Sequence, residues 1–294
     1  MKILKSYSLG IRQASSQGKM VLVLWVFSLL FAAVVYFVGA GYFAGALGQS
    51  ELAGNLLKQF DTGLFLEMLV HNQAPLGMIF KVIVVLAFLY YWVSIFLTGG
   101  ILHVLLSPNE SMGNEPRRRR FASAFFQGAG RYFGRFFRLE VYSLILWVGF
   151  FFFQLVFNLA AKPFTSDGTN EKMLYYVFWV RVGLSLALIF LIRMILDYAR
   201  IIIVRADTGR VLRSLWDSVR FVFKRLFRTL ALYYILLITG ALIFLVYWGI
   251  HSRVSTGSLA KIWLAFFIGQ VFVMSRGWLK IGFQAAQITF YDRA

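Results

Sequence analysis

Charged side chains inside two long apolar segments are the first feature of this sequence that could do chemistry. Segment 173–204 carries Arg193 and Asp197 four residues apart, which puts both on one face of a helix and lets them pair. Inserting such an ionisable group into a membrane costs about 2.5 to 3.5 kcal/mol, so these residues are functional candidates by default. Segment 259–290 carries a polar stripe at spacings of four, four and three, formed by Arg276, Lys280, Gln284 and Gln287.

We predict that these charges converge near the inner ends of the two helices, in a cluster open to the cytoplasm that holds an anionic headgroup or another acidic ligand. With Arg200 included, four basic residues there face one acid, Asp197. Water, lipid phosphate or a partner carboxylate must balance the remaining positive charge. Alternatively, the inner thirds of these long helices project into the cytoplasm or snorkel to it. Arg181 lies apart, with Asn158 or the outer headgroups as candidate partners. The candidate polar cluster is Arg193, Asp197, Arg200, Arg276 and Lys280.

A second candidate is the stretch "RRRRFASAFFQGAGRYFGRFFR" (117–138), in which seven arginines alternate with seven phenylalanines and tyrosines and no acid occurs. Apolar residues recur at helical spacing and arginines line the opposite face, as in a helix that lies on a membrane surface. Arginine with aromatics also suits nucleic acid, but this stretch leads directly into an apolar segment, which favours lipid. A topology determinant that contacts nothing specific is the other alternative.

The same pattern recurs in "RVLRSLWDSVRFVFKRLFR" (210–228) and, more weakly, in residues 1–19. The expected partners are therefore anionic membrane lipids, with other membrane proteins as a further candidate and no nucleic acid. The candidate lipid-surface contacts are Arg117, Arg118, Arg119, Arg120, Arg131, Arg135, Arg138, Arg213, Arg220, Lys224 and Arg228.

The composition indicates a membrane protein. The chain has 294 residues, of which 60% are hydrophobic and 14% charged, whereas soluble domains carry about 25% charged residues. The net charge of +18 would suggest nucleic-acid binding in a soluble protein, but basic residues also accumulate in cytoplasmic loops. The absence of cysteine excludes disulfides, thiolate metal sites and cysteine nucleophiles.

Motifs for catalysis are missing. The three histidines, His71, His103 and His251, share no helical face and have no H-E-x-x-H motif beside them. The sequence also lacks a G-x-S-x-G elbow and a phosphate-binding glycine loop. We therefore predict a protein that is not an enzyme and has no metal site or cofactor.

Six apolar segments are each long enough to cross a bilayer and should be helical, because lipid offers no other partner to the backbone. Three connections, 1–19, 107–138 and 205–228, carry 18 basic residues, and the other three carry four. This positive-inside asymmetry puts both termini in the cytoplasm. The segments are 20–47, 79–106, 139–161, 173–204, 229–250 and 259–290.

We predict an all-α fold, a single integral membrane domain of six transmembrane helices. The three basic helices divide it into three tandem units, approximately 1–107, 117–207 and 210–294, each preceded by an amphipathic interfacial helix. None of the four prolines lies inside a predicted span, whereas many transporters use interrupted helices. This favours a non-catalytic scaffold or accessory subunit of a membrane complex. The alternative is a transporter or lipid-handling protein with a cytoplasm-facing cationic cavity.

The stretch "ILDYARIIIVRADTGRVLRSLWDSVRFVFKRLFRTL" (195–230) carries a family resemblance. It resembles a superfamily of uncharacterised six-helix prokaryotic membrane proteins that includes the membrane domain of some glycerophosphodiester phosphodiesterases. In these, an apolar run is followed by an acidic or small turn and by a serine-led basic amphipathic helix. The resemblance implies a fold and a prokaryotic inner (plasma) membrane but no reaction, because the hydrolase domain of those enzymes has no counterpart here.

The predicted topology can be tested with single cysteines at Ser111, Ser166 and Ser255 of this cysteine-free chain. We expect an impermeant thiol reagent to label positions 166 and 255 on intact cells and to label position 111 only after permeabilisation. Labelling of position 111 from outside would reverse the orientation.

Overall fold

The computed structural model describes residues 2–47, 73–106, 117–165, 171–254 and 258–293, and these form helices joined by short turns, with no strand. The predicted all-α class is therefore confirmed for the described chain. The helices are α1 (Lys2–Ser16), α2 (Gly18–Leu47), α3 (Gln73–Leu106), α4 (Arg117–Thr165), α5 (Glu171–Arg205), α6 (Val211–Lys224), α7 (Leu226–His251) and α8 (Leu259–Arg293).

Each of the six apolar segments lies within one long helix. Five of these helices, α2, α3, α4, α7 and α8, are long and apolar enough to cross a membrane, and α5 is not in that set. Their flanks expose apolar side chains that a soluble protein would cover; Leu155, Trp179, Leu245 and Phe267 are all more than half exposed. The chain is a multi-pass helical membrane protein.

The structure corrects the prediction of a separate surface helix at 117–138. That stretch continues without a break into the third apolar segment as α4, a helix of 49 residues, about 74 Å long. The predicted apolar face, including Phe125, Ala129 and Phe136, is buried against α3. The helix continues through Arg138 and Leu139 without a turn. By contrast, α1 and α6 are separate helices, as predicted.

The side chains of the bundle are buried at one end only. We call this the packed end; it holds α1, α6 and the turn between α5 and α6, and the opposite end is the open end. At the open end the described side chains of the six long helices are half-buried or exposed. The outermost buried residues, counted from the packed end, are Leu24 in α2, Ile95 in α3, Ser143 in α4, Ile192 in α5, Leu236 in α7 and Ile281 in α8.

Three helix pairings build the packed end: α1 lies on α8, the first half of α4 lies on α3, and α6 lies on α5. The helices α3, α5 and α8 also contact one another. Small residues allow the close approaches. A Cβ atom at Gly10 would lie 2.5 Å from the Ala286 backbone, and one at Gly128 would lie 2.4 Å from the His103 Cβ.

Gly128 tests whether this close approach holds the bundle together. Because an added methyl group would overlap the root of the His103 side chain, we expect Gly128→Ala to lower the free energy of unfolding by about 1 to 3 kcal/mol. Thermal unfolding of the detergent-solubilised protein measures this loss. The matched control is Gly130→Ala, on the same helix, where an added Cβ would meet no described atom within 4 Å; it should stabilise the protein or leave its stability unchanged. Equal effects of the two variants would contradict the packing.

Candidate functional site

An open cleft of about 600 Å³ lies between α3, α5 and α8 where the packed end meets the open end. We call it the central cleft. The helix α5 contributes Arg193, Asp197 and Arg200, and α8 contributes Arg276 and Lys280. The five residues of the predicted polar cluster therefore line one cavity, together with α3 side chains that include Tyr91 and Ser94.

Two of the bases have no acid beside them. Among the described residues, neither Arg193 nor Arg276 makes an ion pair or a side-chain hydrogen bond, and both are exposed in the cleft. The Lys280 Nζ donates to the Ser94 Oγ at 3.0 Å, which joins α8 to α3. These cations are free to bind an anion that enters the cleft.

Asp197 joins three helices. Its carboxylate accepts hydrogen bonds from Arg200 at 3.2 Å, from the hydroxyl of Tyr233 on α7, and from Gln287 on α8 at 3.4 Å. Gln287 also donates to the Tyr233 hydroxyl at 2.6 Å. The predicted pairing of Asp197 with Arg193 is wrong, because the carboxylate is already occupied by these three donors and Arg193 turns into the cleft.

Glu140 on α4 is the functional residue that sequence analysis missed. This buried carboxylate accepts from the Arg200 guanidinium and from the Tyr91 hydroxyl at 2.6 Å. Its partners lie 60 and 49 residues away in the chain, so no local spacing points to them. The one signal for Glu140 in the sequence was that it is a lone acid at the start of an apolar segment.

Glu140 changes the charge balance of the site but does not reverse it. Four bases, Arg193, Arg200, Arg276 and Lys280, now face two acids, which leaves a formal charge of +2 (4 minus 2). Arg200 pairs with both acids. The excess positive charge therefore lies on Arg193, Arg276 and Lys280. The predicted stripe is also present, since Gln284 and Gln287 line the cleft beside Arg276 and Lys280. The Gln284 side-chain oxygen is buried and has no hydrogen-bond partner among the described residues.

Arg181 lies near the open end, apart from the cleft. Its Nε donates to the Gln154 side-chain oxygen at 3.1 Å, and Gln154 in turn donates to Ser185 at 2.6 Å. The proposed partner Asn158 is therefore replaced by Gln154, one helical turn closer to the packed end. These contacts tie α4 to α5 in the part of the bundle where the described side chains are half-buried or exposed.

Seven of the eleven candidate lipid-surface residues have described side chains, and these seven fall into two groups. Arg131 and Arg135 on α4 pair with Asp207, at 2.7 Å for Arg135, and Asp207 occupies the turn between α5 and α6. The hydrogen bond from Arg135 lowers the pKa of the Asp207 carboxyl, against a smaller opposing effect of desolvation. The side chains of Arg117 to Arg120 lie outside the described residues. Exposed basic side chains remain at Arg138, Arg213, Arg220, Lys224 and Arg228.

The helix α6 combines three surfaces. One buries Ser214 and Ser218 against the bundle, one exposes the basic residues, and one exposes Leu212, Trp216 and Phe223, each more than half accessible. A helix with exposed apolar and basic rows side by side is suited to the boundary between lipid and water.

The two histidines that the structure describes do not line the cleft. His103 is buried on α3 near Tyr132, His251 stacks on Tyr247 at 5.3 Å, and His71 lies outside the described residues. In the described ranges, no group of three His, Asp or Glu side chains could hold a metal ion.

Comparison with known proteins identifies no relative: no protein-family model matches this chain, and neither a curated protein nor a solved structure matches it. Its function must therefore be inferred from the geometry of the central cleft.

The bracketing of Arg200 can be tested by changing one acid. We expect Glu140→Gln to lower the free energy of unfolding by about 3 to 5 kcal/mol, because removing one partner leaves a buried charge undercompensated. The matched control is Asp207→Asn, which breaks two exposed ion pairs and should cost at most about 1 kcal/mol. Thermal unfolding at neutral pH measures both, since Asp207 is ionised there and loses its contribution only as the pH falls through its lowered pKa. Equal losses would refute a special role for Glu140.

Proposed function

We propose that this protein is a non-catalytic, multi-pass membrane protein that binds an anionic ligand in the central cleft. The observation that carries the proposal is the imbalance of charge in that cleft, where Arg193 and Arg276 have no acid partner among the described residues. Uncompensated cations at the edge of an apolar bundle are costly unless an anion or water reaches them. An acidic group with hydrogen-bond acceptors, such as a phosphate, matches these donors.

The depth of the cleft suits a headgroup. The unburied stretch of α5 between Lys172 and Leu191 has about 20 residues, or about 30 Å of helix, which equals the thickness of the hydrocarbon layer. Its one charged residue after Lys172 is Arg181. We therefore propose α5 as the sixth crossing. Arg193, two residues beyond this stretch, then lies at the level of the lipid headgroups.

The charge pattern sets the proposed orientation. The packed end carries α1, α6 and the basic first half of α4, so the positive-inside rule puts it on the cytoplasmic side, with both termini. The central cleft then faces the inner leaflet, where anionic lipids attract basic segments. The exposed rows of α6 lie in the same interface.

We also propose the three tandem units. The three pairings at the packed end support them, because each basic helix lies on the second crossing of the unit before it, and α1 closes the ring on α8. The second crossings, α3, α5 and α8, are the helices that line the cleft. This layout agrees with the resemblance to the six-helix superfamily, which stays part of the proposal.

A scaffold role is the second candidate, and the open end favours it. The helices there present long apolar surfaces, rich in aromatic side chains such as Phe152, Tyr176 and Trp248, each at least 60% exposed. Lipid or another membrane protein must cover them. A stoichiometric protein partner that remains after purification in mild detergent would support this role, and a retained anionic lipid would support ligand binding.

Binding of dioleoyl phosphatidylglycerol to the detergent-solubilised protein tests the proposal. We expect Arg276→Gln and Lys280→Gln each to weaken binding about 10-fold to 100-fold, the range for loss of one charge-assisted hydrogen bond. Asp197→Asn should not weaken it, because it makes the net charge of the central cleft more positive. Native mass spectrometry measures the bound lipid.

The matched controls are Arg253→Gln and Lys81→Gln, which remove the same charges at exposed positions outside the central cleft. They should bind as the parent does. Dioleoyl phosphatidylcholine, which has no net charge, should bind weakly to every variant. If Arg276→Gln and Arg253→Gln bound phosphatidylglycerol equally well, the central cleft would not be the anion site.

A further inference from the structure

We infer that the ligand is an anionic lipid whose phosphate lies in the central cleft and whose acyl chain lies along the apolar wall of a second cleft on the other side of α3 and α8. This inference rests on the proposed function and adds the ligand class and the path of its tail. The shared chemistry is a phosphate ester, which a lipid headgroup or a small soluble phosphate could supply. The second cleft decides between them.

The second cleft, here the α2-side cleft, has a volume of about 340 Å³ and lies between α2, α3 and α8. Four residues line both clefts: Tyr90 and Ser94 on α3, and Arg276 and Lys280 on α8. The two clefts are therefore the two sides of one gap between α3 and α8. The hydrogen bond from Lys280 to Ser94 crosses that gap.

The two sides differ in chemistry. Beyond the shared residues, the central cleft adds charged and amide side chains, including Arg193 and Gln284, together with apolar ones such as Leu279 and Phe283. The α2-side cleft adds mainly apolar ones, which are Leu24, Phe27, Leu97, Val273 and Gly277, with Ser28 as the polar exception. A basic site that adjoins an apolar one matches an amphiphile, whereas a free phosphate would leave the apolar side unfilled.

Local packing leaves room on the apolar side. Gly277 carries no side chain at the point where α8 faces Leu24, and a Cβ there would make only ordinary contact at 3.6 Å. The Ser28 hydroxyl donates to the Leu24 carbonyl at 2.9 Å, so this polar group is satisfied within its own helix. The α2-side cleft can therefore accept a hydrocarbon chain without burying an unpaired polar group from Ser28.

Filling the α2-side cleft with a bulky side chain tests the inference. Val273 lines that cleft and not the central one, so Val273→Trp should exclude the acyl chain and leave the basic residues in place. Losing the burial of about two methylene groups corresponds to a loss of about tenfold in affinity. The matched control is Val271→Trp, the same change on the same helix at a residue that is 67% exposed.

Two probes separate the lipid from the soluble source. Dioleoyl phosphatidylglycerol, titrated in detergent and followed by native mass spectrometry, should bind Val273→Trp about tenfold more weakly than Val271→Trp. Glycerol 3-phosphate, followed by calorimetry, should bind these two variants equally, and more weakly than the lipid binds. Equal binding of the lipid to the two tryptophan variants would overturn the inference. If Arg276→Gln nevertheless lost the lipid, the proposed function would stand.

A second measurement on the parent protein covers the case in which Val273→Trp fails to fold. Phosphatidylglycerol with a photoreactive group in its acyl chain should crosslink to residues 24–28 and 273–277, and these crosslinks should disappear in Arg276→Gln. Crosslinks confined to the open-end surfaces of α4 and α7 would overturn the inference. Lipid binding that did not depend on Arg276 or Lys280 would instead overturn the proposed function.

Discussion

The guanidinium group of Arg200 sets the main constraint on this structure. A cation placed between packed apolar helices is tolerated only with well-placed anions, because the interior solvates charge poorly. Glu140 and Asp197 supply them from either side. Tyr91, Tyr233 and Gln287 then satisfy the remaining acceptor positions of the two carboxylates. This network extends over α3, α4, α5, α7 and α8, so the relative positions of five helices depend on one ion-pair cluster.

The asymmetry of the bundle follows from where such contacts occur. In lipid there is little hydrophobic drive for helices to associate, so association needs close packing of small residues and polar contacts between helices. Both are concentrated at the packed end, where Gly10 meets Ala286, Gly128 meets His103, and the Arg200 network lies. The open end has fewer of them, with Arg181 and Gln154 as one example. There the described side chains are half-buried or exposed, and lipid provides the contacts that protein does not.

The central cleft lies at the boundary between these two regimes. Below it the side chains are buried and above it they are half-buried or exposed, and Arg193, Arg276 and Lys280 line the cleft at the depth where this change occurs. Because Arg200 takes both nearby acids, these three bases keep their attraction for an anion. On α5, the charges that hold the bundle and the charge that we propose to bind the ligand are thus four to seven positions apart. This division supports our proposal of an anionic membrane lipid as the ligand.

The sequence by itself determined the helices, the membrane setting and the charged side chains that line the central cleft. Long apolar segments can only be helices in lipid, and the spacing of Arg276, Lys280, Gln284 and Gln287 already put them on one face. Tertiary structure decided the pairing. Glu140 pairs with Arg200, 60 residues away in the sequence. Asp197 binds Arg200, Tyr233 and Gln287, so Arg193 remains in the cleft. The aromatic face of 117–138 packs on α3, although the sequence predicted that it would lie on lipid. Periodicity shows which face of a helix is polar or apolar. An apolar face has the same sequence pattern whether lipid or another helix covers it. Only the close approach of helices at glycines such as Gly100 and Gly128 shows that another helix covers this face.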